Sequence, residues 1–319
     1  MNDLISQLSS QQLLAIYSVI IVVCLEKWLV LPEKFHPLTF AKLIAQGMAY
    51  KVSARRPSNA LQQIIAGTLA PLVLLIPFLT VLALMVYLAE YPIFFECLLL
   101  LIALRFEPVM LLSKKVEQAL KLGKKVLARH QLQTLVLRKT TNLSSLGMTK
   151  ACIESLLLRF NHQYCTVLIV YLAGGGIAAL CYRLLFEFSH CWHGRLARFE
   201  YFAKPVRVIV DIIQWLPARL SACCFILVQN LVLAWRAFKS KSLHHQTRFF
   251  LLNLQGAALG VQLSGPLYYE DKKYRFEKCG GHRLAAIEDI GRTRVAIRRT
   301  QWVFLSLYVI LSLLLNNGS

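Results

Sequence analysis

From Ile64 to Leu88 the chain runs through 25 residues without a charge. At about 1.5 Å per residue, a helix of that length crosses a hydrocarbon core of roughly 30 Å even when tilted. Thr166–Tyr182, Leu220–Trp235 and Trp302–Leu315 are shorter runs of the same kind. Leu13–Leu31 carries Glu26 and Lys27 near its far end, and Ile93–Leu104 carries Glu96. The pattern predicts an all-α, polytopic integral membrane protein with five or six spans, in a single membrane domain over 1–319. The spans fall near 13–31, 64–88, 93–112, 166–186, 220–235 and 301–316.

Between the spans the pattern changes from continuous to periodic. Over 116–137, Val116, Ala119, Leu120, Val126, Leu127, Leu132 and Leu135 recur at roughly helical spacing. Lys114, Lys115, Lys121, Lys124, Lys125 and Arg129 fall between them, which predicts an amphipathic basic helix pair broken near Gly123. Such a pair can lie on anionic lipid, bind phosphate-bearing ligands, or present a solvated face.

Charge then orients the chain. The net charge is +20, with 36 Lys and Arg against 16 Asp and Glu. In a soluble protein that balance points to nucleic acid, but here the cations lie between spans and no nucleic-acid partner is expected. Lys34–Arg56 holds five basic residues, Arg105–Arg159 eleven against three acids, and Arg236–Arg299 thirteen against five. The positive-inside rule places these three loops in the cytoplasm, with the N-terminus on the other side of the membrane. Glu187–Arg219 is also basic, so it either faces out against that rule or folds back into the membrane. The N-terminal stretch lacks the basic start of a cleaved signal peptide. Most of the nine cysteines lie in apolar runs as small hydrophobes, and no disulfide framework is implied.

Motifs of soluble enzymes are absent: there is no Walker loop, dinucleotide-binding glycine motif, zincin helix or nucleophile elbow. Gly174-Gly175-Gly176 lies midway along an apolar run, where close helix packing explains it better than a phosphate cradle. Cys181, His190, Cys191 and His193 offer zinc-capable atoms at no standard spacing, and His244-His245 reads as surface. Asp211-Ile-Ile-Gln-Trp-Leu-Pro217-Ala-Arg219-Leu220 sets an acid and an arginine beside an expected helix break at the edge of a span. Ionisable groups there are functional candidates, or an interfacial pair that ends the span.

Taken in order, the polar segments resemble the CobD/CbiB family of membrane adenosylcobinamide-phosphate synthases. Carrying the resemblance are Glu26, Pro32 and His36-Pro37-Leu38, then Ala66-Gly67-Thr68-Leu69. In the first long loop Ala119-Leu120, Gly123, Ala128-Arg129, Leu132 and Arg138-Lys139-Thr140 follow the family pattern. Ile153-Glu154-Ser155 and Trp215–Leu220 match two further segments. Ala258–Leu263, Gly265-Pro266, Tyr269 and Asp289-Ile290-Gly291-Arg292 complete the C-terminal loop. The match runs from about Glu26 to Arg299.

The resemblance implies a ligase that joins aminopropanol phosphate to a propionate of adenosylcobyric acid as an amide, with ATP hydrolysis and Mg²⁺. It implies Glu154 and Asp211 as catalytic acids, with Glu26 and Asp289 on the metal. His36, Arg129, Arg138, Arg219 and Arg292 would hold substrate or phosphate. The lipid bilayer and, in an active enzyme, the corrinoid and aminopropanol phosphate are the expected partners.

The chain departs from the family pattern at several acids and amides. Lys139 stands where the family has an acid, Leu158-Arg159 and His162 replace Glu-Asn and Asp, and Phe186–Ser189 replaces Asn-Thr-Leu-Asp. Val210 replaces the first acid of an Asp-Asp pair, leaving Asp211, and His245–Thr247 replaces Ser-Pro-Asn. Arg or His in place of a carboxylate cannot ligate Mg²⁺. A non-catalytic relative similar to the inner-membrane AmpE proteins, a signalling or scaffold protein, therefore stays open beside the synthase. A transporter would need inverted repeats, which the chain lacks. Local pairs offer structural roles for the same residues: Glu154 with Lys150 or Arg159, and Asp289 with Arg292. Asp211 and Arg219 would pair only across a break at Pro217.

Overall fold

The computed structural model describes residues 16–29, 36–52, 59–192, 199–232, 235, 247–269 and 272–317. Residues 13–15 and 30–31 of the first expected span, Pro32, His193, and His244 to Gln246 lie outside them. Residues 16–28 are helical (α1). Then follow α2 (Pro37–Val52), α3 (Ala60–Tyr87), α4 (Pro92–Ala103), α5 (Glu107–Lys121), α6 (Lys125–Gln133) and α7 (Ser145–Phe160). A π-helical turn (Asn161–Cys165) leads into α8 (Thr166–Cys191), followed by α9 (Lys204–Val228) and α10 (Thr247–Ala258). Four strands, β1 (Gln262–Ser264), β2 (Leu267–Tyr269), β3 (Lys272–Tyr274) and β4 (Lys278–Gly280), precede α11 (Glu288–Asn317).

Four helical runs among the described residues are long and apolar enough to cross a membrane: 60–87, 145–191, 204–228 and 288–314. The expected span at 93–112 is not one helix. Leu104 is extended at the end of α4, and Glu107-Pro108 opens α5 with an acid in its first turn and a proline at its start. Both features favour a new helix N-terminus. The span expected at 220–235 begins earlier, at Lys204, and Pro217 lies inside α9 without ending it. In α8 the break comes instead at Gly174 (φ −154°, ψ 20°) and Gly175 (φ 71°, ψ −169°).

The chain divides into two compact units, each assembled from separate segments. The first comprises 1–105, 166–213 and 305–319. Its core includes Trp192, stacked on Phe188 at 5.2 Å and edge-on to Phe202 at 5.0 Å, with its indole N–H donated to Ala45 O at 3.0 Å. A Cβ on Gly67 would come within 2.0 Å of Phe202 O, so only glycine lets α3 approach that backbone. At the α8 break, the Glu96 carboxylate of α4 accepts the Gly176 N–H. An acid inside an apolar helix thus satisfies a donor that the break releases.

The second unit comprises 106–165 and 214–304. Phe106, Phe160, Tyr164 and Phe304 pack together in its core. The expected amphipathic pair is α5 and α6. Val116, Ala119, Leu120, Ala128 and Leu132 are buried, whereas Val126 and Leu127 are exposed. Between the two helices Gly123 (φ 69°) donates to Leu120 O and Lys124 to Ala119 O, closing α5 with a Schellman turn. The strands form two short antiparallel pairs absent from the all-α expectation, β2–β3 nested within β1–β4. The register pairs Leu263 with Cys279 and Ser264 with Lys278.

Candidate functional site

Within the second unit, α7 is capped by Ser144, whose hydroxyl accepts the Gly147 N–H at 3.1 Å. Such a cap satisfies a donor that the first turn leaves unpaired. The helix carries Glu154 inward, onto the segment that follows α10. That segment is shaped by glycine. Gly260 (φ 71°) and Val261 donate to Ala257 O and Gly256 O, a second Schellman turn. A Cβ on Gly281 would meet the Gly260 carbonyl carbon at 2.2 Å, so β4 and the turn require bare backbone where they meet. The chain then reaches Ser264, whose φ of 60° is uncommon outside glycine. This conformation presents the Ser264 N–H to Glu154 Oε1 at 2.8 Å.

The other oxygen of Glu154 faces two guanidinium groups. Arg138 Nη2 lies 3.5 Å from Oε2 and Arg248 Nη2 lies 3.7 Å from it. Arg138 follows α6, and Arg248 is in the first turn of α10 with its guanidinium over the Phe276 ring at 5.3 Å. One turn before Glu154, Lys150 reaches Gln262 Oε1 at 3.5 Å and has Lys278 within electrostatic reach. Two guanidinium groups and Lys150 thus lie around one carboxylate, an excess of two positive charges. Burial first, and the Glu154 charge second, push the Cys279 thiol up to about 12, so it remains a neutral thiol.

The other buried carboxylates of this unit are paired more tightly. Arg298 Nη2 is 2.6 Å from Glu107, Lys121 is 2.7 Å from Glu117 with Arg294 also bonded there, and Arg283 is 2.7 Å from Asp289. Asp289 also accepts from Ala286 N–H at 2.7 Å and lies 3.4 Å from Arg292. Hydrogen bonding to Asp289 raises Arg283 above its ordinary range. A Cβ on Gly291 would meet Glu117 Oε1 at 3.1 Å, which gives that motif glycine a packing reason.

Of the residues expected from sequence, the structure joins Glu154 with Arg138, and Asp289 with Arg292. Arg129 donates to Leu143 O at 3.1 Å and its own carbonyl accepts the Thr140 hydroxyl, bracing the loop before α7. Arg219 donates to Trp215 O at 2.8 Å and lies 3.7 Å above the Trp215 ring. Asp211 is 55% exposed in the first unit and lies 3.6 Å from Arg207, one turn back. With α9 unbroken, Asp211 and Arg219 each take a partner one turn earlier, so the pairing across Pro217 does not form. Arg159 donates to Leu135 O at 3.0 Å.

Glu26 and His36 are buried in the first unit. His36 Nδ1 accepts the Leu38 N–H at 3.2 Å. Its pKa falls to about 4, mainly through burial, then through Arg105 and Arg183, against an opposing Glu187. Sequence reasoning missed Arg248, Ser264 and the pairs that link α5 to α11. Arg248 stands far from Glu154 in sequence, and only the unusual Ser264-Gly265 turn could have hinted at the contact.

Magnesium does not fit these residues as a protein-built cage. Both oxygens of Asp289 accept hydrogen bonds, while Glu154 has Oε1 taken by the Ser264 N–H and two guanidinium cations, which repel a divalent ion, 3.5 and 3.7 Å from Oε2. Among the described residues, no three His, Cys, Asp or Glu side chains gather as a metal-binding group.

Comparison with known proteins gives concordant results. The family described as CobD/Cbib protein matches residues 19–297. A cobalamin biosynthesis protein CobD of Chromobacterium violaceum is 26% identical over 299 residues, covering 92% of this chain and 96% of that protein. A cobalamin biosynthesis protein CobD of Stutzerimonas stutzeri is 28% identical over 155 residues, 48% of this chain and 51% of its own. A probable cobalamin biosynthesis protein CobD of Pyrococcus furiosus is 27% identical over 144 residues, 44% and 49% of the two chains. No solved structure matches.

Proposed function

Since the chain belongs to the CobD/CbiB family of cobalamin biosynthesis proteins, we propose that it is an adenosylcobinamide-phosphate synthase. It joins aminopropanol phosphate to a propionate of adenosylcobyric acid in an ATP-dependent amide bond. The observation that carries this reading is the Glu154 centre, where two family-pattern residues, Glu154 and Arg138, meet in a buried, cation-rich cluster.

The reaction needs three things from the protein. A propionate oxygen must leave, and ATP supplies the phosphoryl group that carries it off. The incoming amine must lose a proton as its nitrogen forms the C–N bond. Water must be kept from the activated acyl group. Glu154 Oε2 is the proton acceptor in this account, while the Ser264 N–H fixes Oε1 and so aims the carboxylate. Arg138 and Arg248 face the same oxygen and neutralise anionic groups brought beside it. No step runs through a metal ion.

The protein works in the bacterial inner membrane, with its basic loops in the cytoplasm. Four long apolar helices support this placement. So does the outer face of α3, where Ile65, Leu69, Val73 and Ile76 are exposed at helical spacing. Complementation tests the reading in the cell. A bacterial strain lacking its own amide synthase should regain cobalamin-dependent growth when it expresses this chain. Absence of growth with the chain present in the membrane would contradict the assignment.

A further inference from the structure

We infer that Lys150, Arg248 and Lys278 form, with Arg138, a subsite for a phosphate monoester beside Glu154. Three observations carry it. The first is charge: Arg138, Arg248 and Lys150 lie around one carboxylate, with no contact closer than 3.5 Å between the guanidinium groups and its outer oxygen. Lys278 pairs across the strands with Ser264. Glu107, Glu117 and Asp289, by contrast, each hold a cation in a close ion pair. A dianion balances most of that excess, while a single carboxylate leaves much of it uncompensated.

The second is distance. Both guanidinium nitrogens stand at 3.5 Å or more from the one Glu154 oxygen, outside close hydrogen-bond range. Planar guanidinium donors are therefore not consumed by Glu154 and can turn to tetrahedral phosphate oxygens, while the lysines act as point charges. The third is access. Arg138 and Glu154 are 8% and 5% exposed, but Arg248 is 28% exposed and Lys278 lies at the surface. The cluster has a closed floor and an open rim.

Ser264 completes the floor. Its left-handed backbone conformation costs energy, and such strain persists where surrounding structure imposes it, often at ligand sites. Here it ties Glu154 to β1, which carries Gln262, the Lys150 partner, and pairs Ser264 with Lys278. Glu154, β1 and β4 thereby hold the lysines and arginines in one arrangement. The inference rests on the synthase reading for the identity of the ester, aminopropanol phosphate, and not for the phosphate chemistry. With the phosphate anchored on these cations, the amine at the other end of a short spacer is left to reach Glu154.

Equilibrium binding to the full chain purified in detergent tests this, with inorganic phosphate, aminopropanol phosphate and ATP as separate probes. Phosphate and aminopropanol phosphate should compete for one site. Loss of one charged contact in Lys150→Gln or Arg248→Gln should weaken both by about tenfold or more. Lys150→Arg should restore most of the affinity, and Lys121→Gln, on α5, should bind as the wild type does. Wild-type phosphate affinity in both Gln variants overturns the subsite, whether or not the protein makes amide. So does a loss confined to ATP. Weakened phosphate binding in a protein that makes no amide would retain the subsite and sink the synthase reading instead.

Discussion

Glu154 and His36 are both buried, and each shows how one side chain's surroundings set its chemistry. Glu154 is ringed by cations, whereas His36 accepts a backbone N–H and faces two arginines that oppose its protonation. Lowering a histidine pKa from 6.5 to about 4 means that the unfolded chain binds more protons than the fold between those values. Stability therefore rises with pH through that window, and is lost as pH falls from 6.5 toward 4. The loss is on the order of 2 kcal/mol for this one group. Thermal unfolding in detergent should drop between pH 7 and pH 5 in the wild type, and drop less in His36→Asn. Equal pH dependence in the two would refute the account of His36. Sequence singled out Glu154, Arg138 and His36 through the family pattern. It offered Lys150 and Arg159 as neighbours of Glu154 on helical spacing alone. Long-range partners such as Arg248 leave no periodic trace.

Helices in this chain stop and bend for reasons that apolar composition does not contain. The run at 93–112 is apolar enough to read as one span, yet Glu107-Pro108 starts a helix of its own. Pro217 invited a break that α9 does not make, and the break occurs at Gly174-Gly175 in α8. There the glycine run serves the close packing expected of it and also an unusual backbone that was not expected. Gly175 has φ 71°, and a Cβ on Gly176 would lie 2.8 Å from Glu96 Oε2 and 2.9 Å from Glu96 O. Gly176→Ala should push α4 away from α8 and Gly175→Ala should strain the break, each costing about 1–3 kcal/mol. The measurement is the detergent melting temperature of each variant beside Gly47→Ala, where an added Cβ meets nothing within 4 Å. Melting of all three at one temperature would contradict the account of the break. The strand pairs escaped sequence reading because three residues are too few to show an alternating period.

Across the whole molecule, family membership was legible because short polar segments keep their order over most of the chain. The two units were not legible, since each gathers segments that lie far apart in sequence. The lost acids of the family pattern argued against a carboxylate-built metal site, and the described carboxylates do form separate ion-pair clusters. Around Glu117, Asp289 and Glu154 alike, two or more cations meet one carboxylate, and only at Glu154 do both guanidinium groups stand at 3.5 Å or more. Net charge of +20 is then more than an orientation signal. Part of it is organised within one unit, around the buried Glu154.

The central claim is that Glu154 takes the amine proton in amide formation. The most direct measurement is mass-spectrometric detection of adenosylcobinamide phosphate, made by detergent-purified protein from adenosylcobyric acid, aminopropanol phosphate, ATP and Mg²⁺. The wild type should form product, and Glu154→Gln should form it about 100-fold more slowly or worse, as for a lost general base. No product from the wild type beside an active relative, or an equal rate in Glu154→Gln, would contradict the claim.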